Sequence, residues 1–241
     1  MQKILLLTLA GIVTASLFAL PAQAAFTTVN ITSYVNRNVF FNPSTFPTGL
    51  SYGNRGTGVL FDVAQFPTAS GVAGIWSVGG SVGNSLTVAL TSFGISGQAS
   101  VYALLNNTFG TPGLNEYNVT ITATNNDTVT YQSIGGVDTR DYNAAAFSNT
   151  IANTTAEWFN NGIGQRFDVR EFTLPVVFAN DIIASFTITQ ANYGSYGDAA
   201  LFSGLTFSDA PPVNLVPEPA SIALLGAGLT SLGLIRRKRA G

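Results

Sequence analysis

Three glutamates, Glu116, Glu157 and Glu171, are the side chains of the long central region best suited to catalysis. Two carboxyls roughly 5–9.5 Å apart across a cleft can cleave a glycosidic bond. Glu116 opens an alternating apolar/polar segment, and Glu157 and Glu171 stand next to Trp158 and Phe172. Their positions along the chain leave open whether any pair meets. Other routes are closed. The chain has no His and no Cys, so neither a Ser-His-Asp nor a Cys-His site can form. Lys3 and Lys238 are its only lysines and flank the two apolar ends, which excludes a Ser-Lys pair. Gly53–Gly58 is glycine-rich but lacks the lysine and the strand–helix context of a phosphate loop, and reads as a surface loop. The expectation is a protein that is not an enzyme and carries no cofactor.

Asp138, Asp141 and Asn143 make an oxygen-rich turn around Arg140. Calcium takes six to eight oxygens, and such a turn can give three. The plainer reading has these side chains capping a loop, with one aspartate paired to Arg140 or Arg166, and no metal is expected. Trp76, Trp158 and Tyr142 can stack on a sugar or fill the core, and Trp76 reads as core. Tyr193 and Tyr196, in the Gly/Ser-containing segment Asn192–Gly197, are the stronger candidates for sugar contact. Asn-x-Ser/Thr sequons at Asn30, Asn106, Asn118, Asn126 and Asn153 follow from the abundance of Asn and Thr.

These residues sit in a segment, 25–210, large enough for one domain with a real core. It holds five arginines, no lysine and eleven carboxylates, for a net charge of −6. That balance suits neither nucleic acid nor an anionic membrane surface. Without cysteine the domain must be held by its core alone.

Alternation defines the elements. Tyr117, Val119, Ile121 and Ala123 share one face, and Glu116, Asn118, Thr120, Thr122 and Thr124 the other, wet, face. Ser85–Thr91 and Ile182–Ile188 repeat the pattern. Further strands are expected at Thr27–Tyr34, Val59–Val63, Ser100–Leu105, Thr128–Ser133, Thr155–Phe159, Arg166–Phe172 and Leu201–Phe207. Asn125-Asn126-Asp127 marks a hairpin turn. Residues 141–153 are the best candidate for a short helix or structured loop. The fold class is all-β, an antiparallel β-sandwich of jelly-roll type.

The two ends are apolar. Lys3, the run Ile4–Leu20 and Ala22-Gln23-Ala24 have the layout of a cleaved signal peptide, residues 1–24 with a signal helix, so the mature chain begins at Ala25. At the other end, the proline-bearing linker 211–219 finishes in Pro217-Glu218-Pro219. Residues 220–241 follow: 16 uncharged residues from Ala220 to Ile235, then Arg236-Arg237-Lys238-Arg239. Sixteen residues make about 24 Å of helix, short for a bilayer core of about 30 Å and suited to a temporary anchor. The basic cluster acts as a stop-transfer signal and keeps the C-terminus cytoplasmic.

This three-part tail resembles the PEP-CTERM sorting signal of Gram-negative bacteria. The resemblance implies recognition of Pro217, Glu218 and Pro219 by an exosortase-type membrane enzyme, transient anchoring in the inner membrane, and release to the cell surface or beyond. Exopolysaccharide is the expected partner there. Four segments within residues 99–207 also resemble the middle region shared by many PEP-CTERM surface proteins: Val101–Asn107, Gly135–Asn143, Asn160–Asp168 and Gly204–Phe207. That group brings no established activity and no catalytic residue. The expected role is structural or adhesive; the alternatives are a carbohydrate-binding module or a glycoside hydrolase.

Overall fold

A computed structural model describes residues 25–39, 42–78, 81–95, 100–143, 150–152, 154–178, 180–192 and 199–208. The signal peptide, the linker with Pro217–Pro219, the basic tail, and Tyr193 and Tyr196 lie outside these residues. The described strands are β1 (Phe26–Val29), β2 (Arg37–Asn38), β3 (Gly49–Ser51), β4 (Phe61–Val63), β5 (Gly74–Ser77), β6 (Ser85–Ala89) and β7 (Ser100–Thr108), then β8 (Asn115–Ala123), β9 (Thr128–Ile134), β10 (Thr155–Asn160), β11 (Arg166–Thr173), β12 (Ile183–Gln190) and β13 (Ala199–Ser208). One sheet runs β10-β11-β7-β13-β5-β2, with β1 sharing an edge of β13 with β5. A second runs β6-β12-β8-β9, and β3-β4 form a separate hairpin. All strand pairs are antiparallel, as expected from the sequence.

The two large sheets face each other across an aliphatic and aromatic core. Val119, Ile121, Phe186 and Ile188 come from the four-stranded sheet, and Val101, Ala103, Phe172 and Phe207 from the other. Phe186 spans the layers, edge-on to Phe172 at 6.0 Å and stacked on Phe202 at 5.6 Å. Such pairs contribute about 0.5–1.5 kcal/mol each beyond area burial.

The large sheet is covered on its second face too. Tyr102, Leu104, Phe167, Val169 and Leu201 pack there with Phe61, Val63 and Trp158 in a second core. β7 is therefore buried along its whole length. This explains why Val101-Tyr102-Ala103-Leu104-Leu105 lacks a polar alternate: a strand apolar on both sides reads as a continuous run. β5, Gly-Ile-Trp-Ser, is buried at every position for the same reason and carries no period for the sequence to show.

A bulge sets the facing of β13. Its register against β7 shifts between Phe202 and Gly204, leaving Ser203 as the extra residue. One extra residue flips side-chain parity. Ala200 and Phe202 before it, and Leu205 and Phe207 after it, thus all reach the intersheet core. Ser203 Oγ donates to Gly74 O at 2.9 Å, so the buried hydroxyl is satisfied.

Several boundaries differ from the sequence expectation. The Thr27–Tyr34 strand stops at Val29, because Asn30 Oδ1 accepts from Thr32 N at 3.0 Å and starts the 3-10 turn Thr32–Tyr34. Ser85–Thr91 ends at Ala89, ahead of a 3-10 turn closed by Gly94 at φ 60°. Val59–Val63 is strand only from Phe61. Asp141–Asn143 is not helical but extended, bridging Asn107 and Gln165; residues 144–149 and 153 lie outside the described set. Glu116, expected on the wet face of β8, is fully buried. Register slips between Asn115 and Tyr117, and Glu116 turns inward to accept from Thr111 N at 2.5 Å and Asn192 Nδ2 at 3.3 Å.

Candidate functional site

β7 and β11 pair only from Ser100 to Leu104. Beyond this the strands part, and residues 140–142 enter the fork. Asn107 N donates to Arg140 O at 3.0 Å, Tyr142 N to Asn107 O at 2.9 Å and Arg166 N to Tyr142 O at 3.0 Å. Asn106 stands at the branch point. Its amide replaces the missing ladder, accepting from Asp168 N at 3.0 Å and donating to Asp168 Oδ2 at 2.8 Å. A side-chain amide can do this because it carries the donor and acceptor of a peptide group.

The fork collects charge. Asp168, with no exposed surface, holds Arg140 side-on: Nε to Oδ2 at 2.8 Å and Nη2 to Oδ1 at 2.7 Å. Arg140 Nη2 also reaches Glu157 Oε2 at 2.8 Å, and Arg55 Nε meets Glu157 Oε1 at 2.6 Å. The line Asp168–Arg140–Glu157–Arg55 thus runs from a fully buried carboxylate to a half-exposed guanidinium. Burial pushes the Asp168 carboxyl up from its ordinary value, against the pull of Arg140. For Arg140, burial disfavours the charge, yet Asp168 and Glu157 together hold its pKa above the usual value. Arg166 goes the other way, lowered by burial and by the nearby Arg140. Its Nε donates to Asp141 O at 3.0 Å.

Beside the fork, Arg170 anchors β11 to the four-stranded sheet. It donates to Ser133 Oγ at 2.5 Å and Gln132 O at 2.9 Å, approaches Asp138 Oδ1 at 3.5 Å, and lies over the Phe172 ring at 4.8 Å. Asp138 Oδ2 accepts from Ile134 N at 3.0 Å, and Asp141 Oδ1 from Phe109 N. These two aspartates are loop caps. Of the two arginines expected to pair with one of them, Arg140 belongs instead to Asp168 and Glu157, while Asp141 attracts the Arg166 charge and Asp138 approaches Arg170. Among the described residues no three of His, Cys, Asp and Glu are grouped to hold a metal ion.

The three glutamates have separate duties. Glu116 caps a loop. Glu171 Oε1 accepts from Ser100 Oγ at 2.9 Å and Tyr102 OH at 3.1 Å, and burial raises the Tyr102 pKa. Glu157 is spanned by Arg55, Arg140 and Asn160, the last at 3.3 Å. Trp158 and Tyr142 do not form a sugar platform: both are in the second core, and Trp158 Nε1 donates to Val59 O at 2.9 Å. Trp76 is in the intersheet core, as expected.

Gly53–Gly58 is not a loose surface loop at its start. Asn54 N and Arg55 N both donate to Trp158 O, at 3.1 and 3.2 Å. Gly53 adopts φ +68°, and a Cβ there would lie 2.2 Å from Trp158 O. The close approach carries Arg55 onto Glu157. Sequence reading missed Arg55, Asn106 and Asp168 as members of one cluster. The signal that could have found them was the clustering of resemblance. Three of the four resembling segments, Val101–Asn107, Gly135–Asn143 and Asn160–Asp168, supply Asn106, Arg140 and Asp168, and Gly204–Phe207 lies on β13 beside β7.

Comparison with known proteins adds little for the β domain. No curated protein matches the chain. Among solved structures, one from the structural and functional characterization of Pseudomonas aeruginosa AlgX is 17% identical, with a TM-score of 0.32 over 56% of this chain and 26% of that one. A family two carbohydrate esterase from Cellvibrio japonicus is 10% identical, with a TM-score of 0.31 over 81% of this chain and 38% of that one. The chain thus spans well under half the length of either. The tail gives a definite match: residues 215–239 fit the family model of the PEP-CTERM protein-sorting motif. The chain therefore carries a PEP-CTERM sorting signal, the mark of an exported protein that is handled by an exosortase-type membrane enzyme.

Proposed function

We propose that this protein is a non-catalytic structural or adhesive component of the cell surface or extracellular matrix, associated with exopolysaccharide. The single observation that carries the reading is the sorting motif at residues 215–239. The domain supports it in kind. Glu116, Asp138 and Asp141 cap loops, Asp168 and Glu157 pair with arginines, and the net charge of −6 with no lysine suits a hydrated matrix better than nucleic acid. In this reading the sandwich is of jelly-roll type. The chain passes between the sheets at each step from β5 to β8 and from β11 to β13, with the hairpins β8-β9 and β10-β11 between, in the orders β5-β13-β7-β11 and β6-β12-β8-β9.

The chain is exported behind residues 1–24, held in the inner membrane by 220–241, recognised at Pro217-Glu218-Pro219 and released. Mass spectrometry of the protein recovered from the cell surface and medium tests this. The expected mature form starts at Ala25 and lacks Ile222–Gly241. A surface form that retains the tail overturns it.

A further inference from the structure

The outer face of the four-stranded sheet carries a regular hydroxyl array. Thr87 on β6 pairs with Thr187 on β12, Thr187 with Thr120 on β8, and Thr120 with Thr130 on β9. Four threonines thus form one row across all four strands. Two hydroxyl pairs lock the row, Thr87–Thr187 and Thr120–Thr130, each at 2.9 Å. Each pair shares one proton and leaves the other hydroxyl hydrogen free to donate outward. The flanking rows begin at Ser85 and Ala89 and pair Thr189 with Asn118 and Ser185 with Thr122. Every one of these positions is exposed or half-exposed.

Among the described residues the face also carries no charge. The neighbouring acids Asp127 and Asp181 are tied to Asn125 in the turn beyond Thr128, at 2.8 and 2.7 Å. Among the described residues, none of the domain's carboxylates lies on this face. It presents no aromatic ring either, since Tyr131 packs inward on Phe172 at 5.2 Å. An uncharged partner is matched to such a face, and an ionic one gains nothing from it.

We infer that the threonine row Thr87–Thr187–Thr120–Thr130 is a docking surface for a neutral, extended, β-linked polysaccharide laid across the strands. The hydroxyls close into two pairs, and the pairs are centred two strands apart, about 9.4–9.8 Å at the usual strand spacing, close to the repeat of two sugars in such a chain. Neighbouring strands twist by about 20–25°, so four of them cannot match a planar crystal surface, whereas a flexible glycan follows the turn. Affinity comes from many weak hydroxyl contacts and grows with the number of protein copies on one polymer. The inference rests on the matrix reading above and assigns that partner to one face.

The test uses mature protein recovered from the producing cells, run in native gels containing hydroxyethylcellulose or, separately, alginate. The neutral polymer should retard it and the acidic one should not. The quadruple variant Thr87→Val, Thr120→Val, Thr130→Val, Thr187→Val keeps shape and strand propensity but removes the hydroxyls, and should weaken retardation at least fivefold. The corresponding Ser variant should keep it. No retardation of the parent by the neutral polymer, or equal retardation of the Val variant, overturns the inference. Fractionation of the same cells separates this from the matrix reading. A parent protein that stays with the matrix while the face proves inert sinks the inference alone; a parent absent from the matrix sinks the reading itself.

Discussion

Arg140 binds Asp168 side-on, with Nε and Nη2 at 2.8 and 2.7 Å from its two oxygens, and Asp168 has no exposed surface. A buried pair of this kind contributes little relative to well-packed apolar residues, but breaking it is expensive. Asp168→Ala leaves Arg140 without its inner partner and also removes the acceptor of Asn106. It should cost about 3–5 kcal/mol. Arg140→Met with Asp168→Leu should recover much of that loss. Urea unfolding of the three proteins checks both. A single-variant loss under about 1 kcal/mol would show that the fork is held by its backbone bonds instead.

Gly53 offers a sharper contrast. It has φ +68°, and a Cβ there would lie 2.2 Å from Trp158 O and 2.8 Å from Trp158 Cδ2. Gly56 has nearly the same φ, +69°, with nothing within 4 Å. Gly56→Ala should pay only the left-handed backbone cost of about 1–2 kcal/mol. Gly53→Ala pays that cost and a collision with backbone that cannot give way, and should lose clearly more. Trp158 fluorescence should shift red in Gly53→Ala alone, as the Trp158–Val59 hydrogen bond and the second core loosen.

Much of this was legible. β8, β9 and β12 have one wet and one dry face, so period two showed in Thr120–Thr122 and Thr187–Thr189 as plainly as in Ile121 and Ile188. The double burial of β7 was not legible, because a continuous apolar run does not say what covers its second face. Glu116 misled for a local reason: a one-residue slip turned a polar alternate inward. Asp168, Arg140 and Arg55 are 28 and 85 residues apart in succession. Nothing local couples them, and only the parting of β7 from β11 brings them together.

Tyr117 contributes to the alkaline limit, together with Tyr102 and Tyr142, whose hydroxyls burial also raises. Burial pushes its hydroxyl up to about 12, against weaker pulls from Thr139, Arg170 and Ser133. The folded value is above the ordinary 10.0, so the native state holds the proton that the unfolded chain releases. The stabilising term is therefore full below about pH 10 and is lost as pH rises towards 12. It amounts to roughly 3 kcal/mol for about two units of difference. Tyr117→Phe should flatten the fall in stability between pH 10 and 12, read by denaturant midpoints across that range. An unchanged slope would show that another group sets the limit.

The tail prediction concerns Arg236, Arg237, Lys238 and Arg239, four cations directly after the apolar run that ends at Ile235. Each costs about 2.5–3.5 kcal/mol at a helix centre, so passage of the cluster opposes translocation by on the order of 10 kcal/mol. In the proposed reading, residues 1–24 are a signal peptide that commits Ala25 onward to the far side of the membrane. On that reading the tail stops with its C-terminus in the cytoplasm, and Pro217-Glu218-Pro219 is expected at the outer face, within reach of a membrane-embedded processing enzyme. Replacing all four residues with Ser should let a run of only 16 uncharged residues slip through, and the fraction of processed protein should fall. Lys at all four positions keeps the charge and should be processed like the parent. If the Ser variant were sorted and cut normally, the apolar run alone would be the anchor and the cluster would have no stop-transfer role.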